Sequence, residues 1–172
     1  VVAMHRARHL AESVFPKAGD RILFTTFTRN LAEDIRANLA NICPPDIMRR
    51  IEVVNLDAWV HQLLQQNGYE HRLLTDSAKR RDLWGKAALV APEDIDFQEG
   101  FYEQEWTHVV QAQAVSTESE YLRASRVGRG QRMSRLQRKR IWPVFEEYRS
   151  LLTMNGLKEF TDALRDARVL LE

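Results

Sequence analysis

The chain has 172 residues, a formal net charge of +1 and a single cysteine. That length admits one medium domain or two small ones with a real core, and no apolar run approaches the roughly 20 residues that cross a bilayer. The opening "VVAMHRARHLAESVF" carries basic residues where a signal peptide has its apolar stretch, so a soluble cytoplasmic protein without membrane contacts is expected. Cys43 has no partner for an internal disulfide and reads as a small buried hydrophobe.

In chain order, Ala3, Ala7, Leu10 and Val14 fall on one face of a first helix, and "PKAGD" turns the chain into a strand at Ile22. Ile22, Leu23 and Phe24 form a short apolar run of the kind covered on both faces. Leu31, Ile35 and Leu39 then recur at helical spacing. The joint between them, Thr25 to Asn30, contains hydroxyls and an aromatic where a simple turn would use Gly, Asn, Asp or Pro. "NICPPD" stops the second helix, "IEVVNL" is a second β-branched strand, and "LDAWVHQLLQQNG" is a helix with Asp57 as its expected N-cap and Gly68 as its stop. This βαβα order predicts a parallel sheet.

Beyond about His71 the sequence shows no further strand pattern. Leu83, Trp84, Ala87 and Val90 suit one helix, Phe101, Trp106, Val109 and Val110 another, and Ile141, Phe145, Tyr148 and Leu152 a third, which Pro143 is expected to kink or restart. Gly156 suits the left-handed position of a helix C-cap with Leu157 folding back, and Phe160, Leu164, Ala167 and Leu171 share a face of the last helix. The fold class expected is therefore α/β, predominantly helical, with about two parallel strands and an all-α remainder. A strand pair is marginal by itself, which implies a piece of a larger sheet.

"ILFTTFTRNLAEDIRANL" resembles motif Ia of the UvrD/Rep-type superfamily 1 DNA helicases. "VVAMHRARHLA" resembles the helix after that family's phosphate-binding loop, and "IEVVNLDAWVHQLL" the strand and helix carrying motif Ib. "EYLRASRVGRGQRMSRLQRKRIWPVFEEYRSLL" resembles a helical insertion of one branch, and "NGLKEFTDALRDARVLLE" the segment before the acidic Mg-binding motif. Two departures stand out: Thr28-Arg29-Asn30 replaces the usual Thr-Asn-Lys, and Asn55 and Asp57 occupy the Thr and His positions of motif Ib.

The resemblance implies a remnant of a RecA-like P-loop motor domain over residues 1–70, a helical insertion over 71–153, and a return helix toward the motor domain over 154–172. It implies an ATP-dependent helicase, a hydrolase of DNA repair type, as parent, with ATP and Mg as that parent's cofactors and the remainder of the helicase as a partner. No G-x-x-x-x-G-K-[ST] occurs in this chain, so it is not expected to hydrolyse ATP alone. The implied ligand is single-stranded or partly duplex DNA, held at Thr26, Phe27, Thr28, Arg29, Asn30 and Asn55. The residues themselves leave a second reading open, in which Thr28 or Asn30 caps the helix, Glu33 completes a capping box from Asn30, and Phe27 is core.

Arginine recurs at 123, 126, 129, 132, 135 and 138, a step that winds around a helix and makes no stripe. A glycine turn at 128–130 would cluster some of them, with Arg126, Arg129 and Arg132 as candidate contacts to duplex phosphates. The alternative is pairing with the acidic stretch 99–105, or with Glu118 and Glu120. His5 and His9 at i, i+4 lack a third zinc ligand. Asp94 and Asp96 fit a helix-capping loop or a Mg site, and Trp59, Trp84, Trp106 and Trp142 read as core. A non-catalytic helical adaptor that binds a protein is the other functional class the sequence permits.

Overall fold

A computed structural model describes residues 1–172 apart from Asp96 and Glu99. The chain is mostly helical, with two small parallel sheets of two strands each among the described residues. It divides into two compact units, Val1–Tyr69 and Glu70–Glu172.

In the first unit, α1 (Val2–His9) runs into a wider turn over Leu10–Val14, closed by the Phe15 amide donating to the Leu10 carbonyl at 2.7 Å. That i to i+5 bond inserts an extra residue into the helical register. It explains why the buried face is Ala7 and Ala11, with Met4 packed beside them, while Val14 is 49% exposed. The expected face is corrected: of Ala3, Ala7, Leu10 and Val14 only Ala7 is buried, with Ala3 exposed near the start of α1 and Leu10 half-buried.

Strand β1 (Ile22–Thr26) pairs in parallel with β2 (Ile51–Asn55), placing Ile22 opposite Ile51 and Thr26 opposite Asn55. Parallel neighbours need a crossover, supplied by α2 (Arg29–Ile42) and the single turn α3 (Pro45–Met48). α2 ends where Cys43 precedes Pro44, because the residue before proline is driven out of the helical region. Ile51, Val53, Ala32, Leu39, Ile47 and Cys43 close the core on one side. The expectation of strands covered on both faces is corrected for β1, where Leu23 is 41% exposed. Burial pushes the Cys43 thiol up, in keeping with a packing role.

Helix α4 (Leu56–Gln66) starts at Asn55, not at the expected Asp57; the Asn55 side chain accepts from the Ala58 amide at 3.0 Å. Asp57 sits instead in the first turn. At the other end Gly68 has φ +71°, with its amide bonded to Gln65 O and the Tyr69 amide to Leu64 O. These are the paired bonds of a Schellman cap.

The second unit contains α5 (Ser77–Ala87), α6 (Phe101–Glu105) continuing as a wide turn through Gln111, α7 (Glu118–Arg123), α8 (Arg135–Met154) and α9 (Phe160–Leu171). Its core joins Leu83, Trp84, Trp106, Tyr121, Trp142, Phe145 and Tyr148, with Trp84 stacked on Tyr148 at 3.7 Å between ring centres. Trp59, in the first unit, is only half-buried. α8 passes through Pro143 without restarting. Pro143 lies on the exposed side of the helix, where water can satisfy the carbonyl that proline leaves without a donor.

The sequence pattern misses β3 (Arg72–Leu73) and β4 (Leu157–Lys158), which pair in parallel. Two-residue strands have no period to read. They place residues 154–172 within the second compact unit. Gly156 adopts φ +61° and Leu157 packs against the second core.

Candidate functional site

Because β1 and β2 are parallel and in register, their carboxyl ends and the starts of α2 and α4 lie side by side. Two side chains tie this edge together. Thr26, 6% exposed, donates its hydroxyl to Thr28 O at 2.8 Å and bends the chain directly after the strand. Asn55 donates its amide to Phe27 O at 2.9 Å and to Thr26 O at 3.4 Å while its oxygen caps α4. One asparagine thus fixes the β1 to α2 junction onto the start of the neighbouring helix.

The result of that bracing is a protruding aromatic. Phe27 is 87% exposed, which removes the reading of it as core. An isolated exposed phenylalanine needs no explanation, but this one is held by hydrogen bonds on both flanking peptides. Thr28 is the N-cap of α2, accepting from the Leu31 amide at 3.3 Å. The capping box expected from Asn30 to Glu33 is therefore not formed: the cap lies two residues earlier, and its third helical position is Leu31, which cannot answer it.

Arg29 and Asn30, both exposed, are the first two residues of α2, and their amides have no protein acceptor among the described residues. A cation at a helix N-terminus opposes the local dipole. Arg29, exposed at that terminus, forms no ion pair among the described residues. At the start of α4, by contrast, Asp57 already supplies a negative charge. The half of the edge with unused donors is the α2 half, which presents a hydroxyl, two free amides, a guanidinium and an aromatic face. Of the residues predicted, Phe27, Thr28, Arg29 and Asn30 reach the surface, whereas Thr26 and Asn55 act from behind by positioning.

The arginine series has a different fate. Arg126 meets Glu105 through Nε at 2.6 Å and Nη2 at 2.9 Å, and Arg129 meets it at 3.2 Å. Their side chains are 6% and 16% exposed, and Glu105 is fully buried. Tyr121 donates a further bond at 2.9 Å. Burial works against the charge on Glu105, but the bonds from Arg126, joined by Tyr121 and Arg129, hold its carboxyl below the ordinary range. Arg138 donates to Ala124 O at 3.0 Å beyond the end of α7. Arg126 and Arg129 are committed inside the second unit; Arg132 is exposed.

Glu159 is a second hub that sequence reasoning missed, accepting from Trp106 Nε1 at 2.6 Å, Tyr148 at 2.8 Å and Gln111 at 3.1 Å. Separations of 11 to 53 residues leave no local signal for such a cluster. Asp94 pairs with Arg140; Asp96 and Glu99, named above as Mg and arginine partners, lie outside the described residues. Among the described residues, no group of three or more His, Cys, Asp or Glu could hold a metal, and no helix is long and apolar enough to cross a membrane.

No family model matches the chain, and no curated protein is significantly similar to it. What fold and site define is a two-unit, mostly helical chain whose parallel strand pair displays a braced aromatic beside a helix N-terminus.

Proposed function

We propose that this chain is part of the first motor domain of a UvrD/Rep-type DNA helicase, a RecA-like remnant with a helical insertion, and that the carboxyl edge of β1 grips single-stranded DNA. The observation that carries the proposal is the exposure of Phe27 on a junction braced by Thr26 and Asn55. A base stacks on the Phe27 ring, a contact of about 1–3 kcal/mol. The adjoining phosphate takes the amides of Arg29 and Asn30, the Thr28 hydroxyl and the Arg29 charge. In open parallel sheets, ligands gather at this edge.

ATP and Mg belong, in this proposal, to the intact parent. The present chain contains no phosphate-loop motif, so a nucleotide-driven change of grip requires residues outside it. The second unit's arginines enter only through Arg132, since Arg126 and Arg129 serve Glu105.

The test is fluorescence anisotropy of a labelled single-stranded oligonucleotide. Phe27→Ala is expected to weaken binding by about tenfold, and affinity is expected to fall steeply as salt rises. Thr28→Asp separates capping from binding, because aspartate caps a helix as well as threonine does but repels phosphate. Its thermal midpoint should be unchanged and its DNA affinity lost. Equal affinity across wild type, Phe27→Ala and Thr28→Asp would remove the DNA site, and salt-insensitive capture of a protein would favour the adaptor.

A further inference from the structure

The register of the strand pair has a consequence at its other end. Ile22 lies opposite Ile51, and the Ile22 amide donates to Arg50 O at 2.7 Å. The residues just before the two strands, Arg21 and Arg50, are therefore neighbours. Like charges side by side on adjacent strands are unfavourable. Here they border a recess of about 350 Å³ lined by Pro16, Ala18, Arg21, Asp46, Arg49 and Arg50.

Three guanidiniums thus surround the recess against one carboxylate, and no ion pair joins Asp46 to any of them among the described residues. Two of the arginines are held in place by neutral acceptors. Arg21 Nη1 donates to Ala18 O and to Asp20 O, both at 3.0 Å, and Arg50 Nη1 donates to Phe15 O at 3.0 Å. These bonds fix the side chains without cancelling their charge. They leave Nε and Nη2 of each, the edge that forms a bidentate fork. Arg49 is exposed beside them.

We propose that this recess binds a phosphate monoester as its dianion. The lining carries an excess of two positive charges, which a monoester dianion balances and a phosphodiester only half balances. Planar guanidinium forks suit the phosphate oxygens better than point charges do. The volume lies at the small end of ligand sites, at about 300–1,000 Å³, enough for the phosphate and a modest substituent. The site uses none of the residues proposed to contact DNA.

The experiment follows the arginine Nε–Hε signals of the full ¹⁵N-labelled chain by NMR during titration with inorganic phosphate and then glycerol phosphate, at ionic strength held constant with sodium chloride. Saturable shifts of the Arg21 and Arg50 signals are expected. Arg49→Glu, which breaks no side-chain hydrogen bond among the described residues, is expected to weaken phosphate at least about tenfold, and dimethyl phosphate to bind about tenfold more weakly than the monoester. Phe27→Ala should leave the titration unchanged. Shifts that do not saturate, an equal response to chloride, equal affinity for dimethyl phosphate, or indifference to Arg49→Glu would each overturn the site. Comparing an oligonucleotide with and without a 5′ phosphate then separates the two sources. A gain confined to the phosphorylated end assigns a nucleic-acid terminus, and binding of glycerol phosphate with no such gain assigns a small phosphorylated molecule; both sustain the monoester site.

Discussion

Glu105 shows what a single side chain decides in this molecule. It is fully buried and answered by two guanidiniums and a phenol, so removing it strands two cations in the interior. Glu105→Ala is expected to cost about 3–5 kcal/mol, because an unpaired buried charge is penalised far more than the pair is rewarded; urea unfolding of the two proteins measures it. The acid dependence has a definite sign. The carboxyl is held lower in the folded state than its ordinary value, first against the opposing effect of burial and then through Arg126. Its contribution is therefore complete above the unfolded glutamate value of about 4.3 and lost as pH falls through the depressed folded value. Glu105→Gln should flatten that acid-side decline in the urea midpoint. The sequence offered the acidic stretch 99–105 as an arginine partner, but nothing local singled out Glu105. Its partners lie 16 to 24 residues away, and only the packing of α6 against the loop before α8 brings them together.

Elements were more legible than their ends. The helical faces of α5, α6 and α8 follow from apolar spacing, and Leu83, Trp106, Ile141, Phe145 and Tyr148 are buried as that spacing requires, whereas Val90, expected on the α5 face, lies past the end of that helix and is 48% exposed. Caps were read unevenly. Gly68 terminates α4 in the left-handed region, where a Cβ would meet nothing within 4 Å. Gly68→Ala is therefore expected to cost about 1–2 kcal/mol from backbone strain alone, a loss visible as a lowered thermal midpoint. The start of the same helix belongs to Asn55, although Asp57 has equal cap chemistry, because β2 delivers Asn55 in extended conformation beside Phe27 O. Asn55→Ala should cost about 1–2 kcal/mol and loosen the β1 to α2 junction with it. Amide hydrogen exchange would then rise at Leu31 and Ala58 together. Protection lost at Ala58 alone would show that the bridge to Phe27 does not couple the two elements.

At the scale of the whole chain, two compact units carry separate cores, and their reporter residues are divided between them. Cys43 is buried in the first core, while Trp84, Trp106 and Trp142 belong to the second. The first unit is smaller and leaves one face of β1 partly open, so it buries a smaller share of its surface. In a Trp59→Phe background, which leaves tryptophans only in the second unit, Cys43 is expected to become reactive to a thiol reagent at lower urea than the tryptophan fluorescence transition; coincident transitions would mean one cooperative molecule. The sequence by itself determined the helical periods, the parallel order of β1 and β2 and the polar joint at 25–30, because these depend on neighbours within a few residues. Only the tertiary structure decided that Phe27 stands out, that Arg126 and Arg129 turn inward to Glu105, and that Arg21 and Arg50 flank one recess. Each of those outcomes depends on strand register or on contacts between distant segments, and neither is encoded in local spacing.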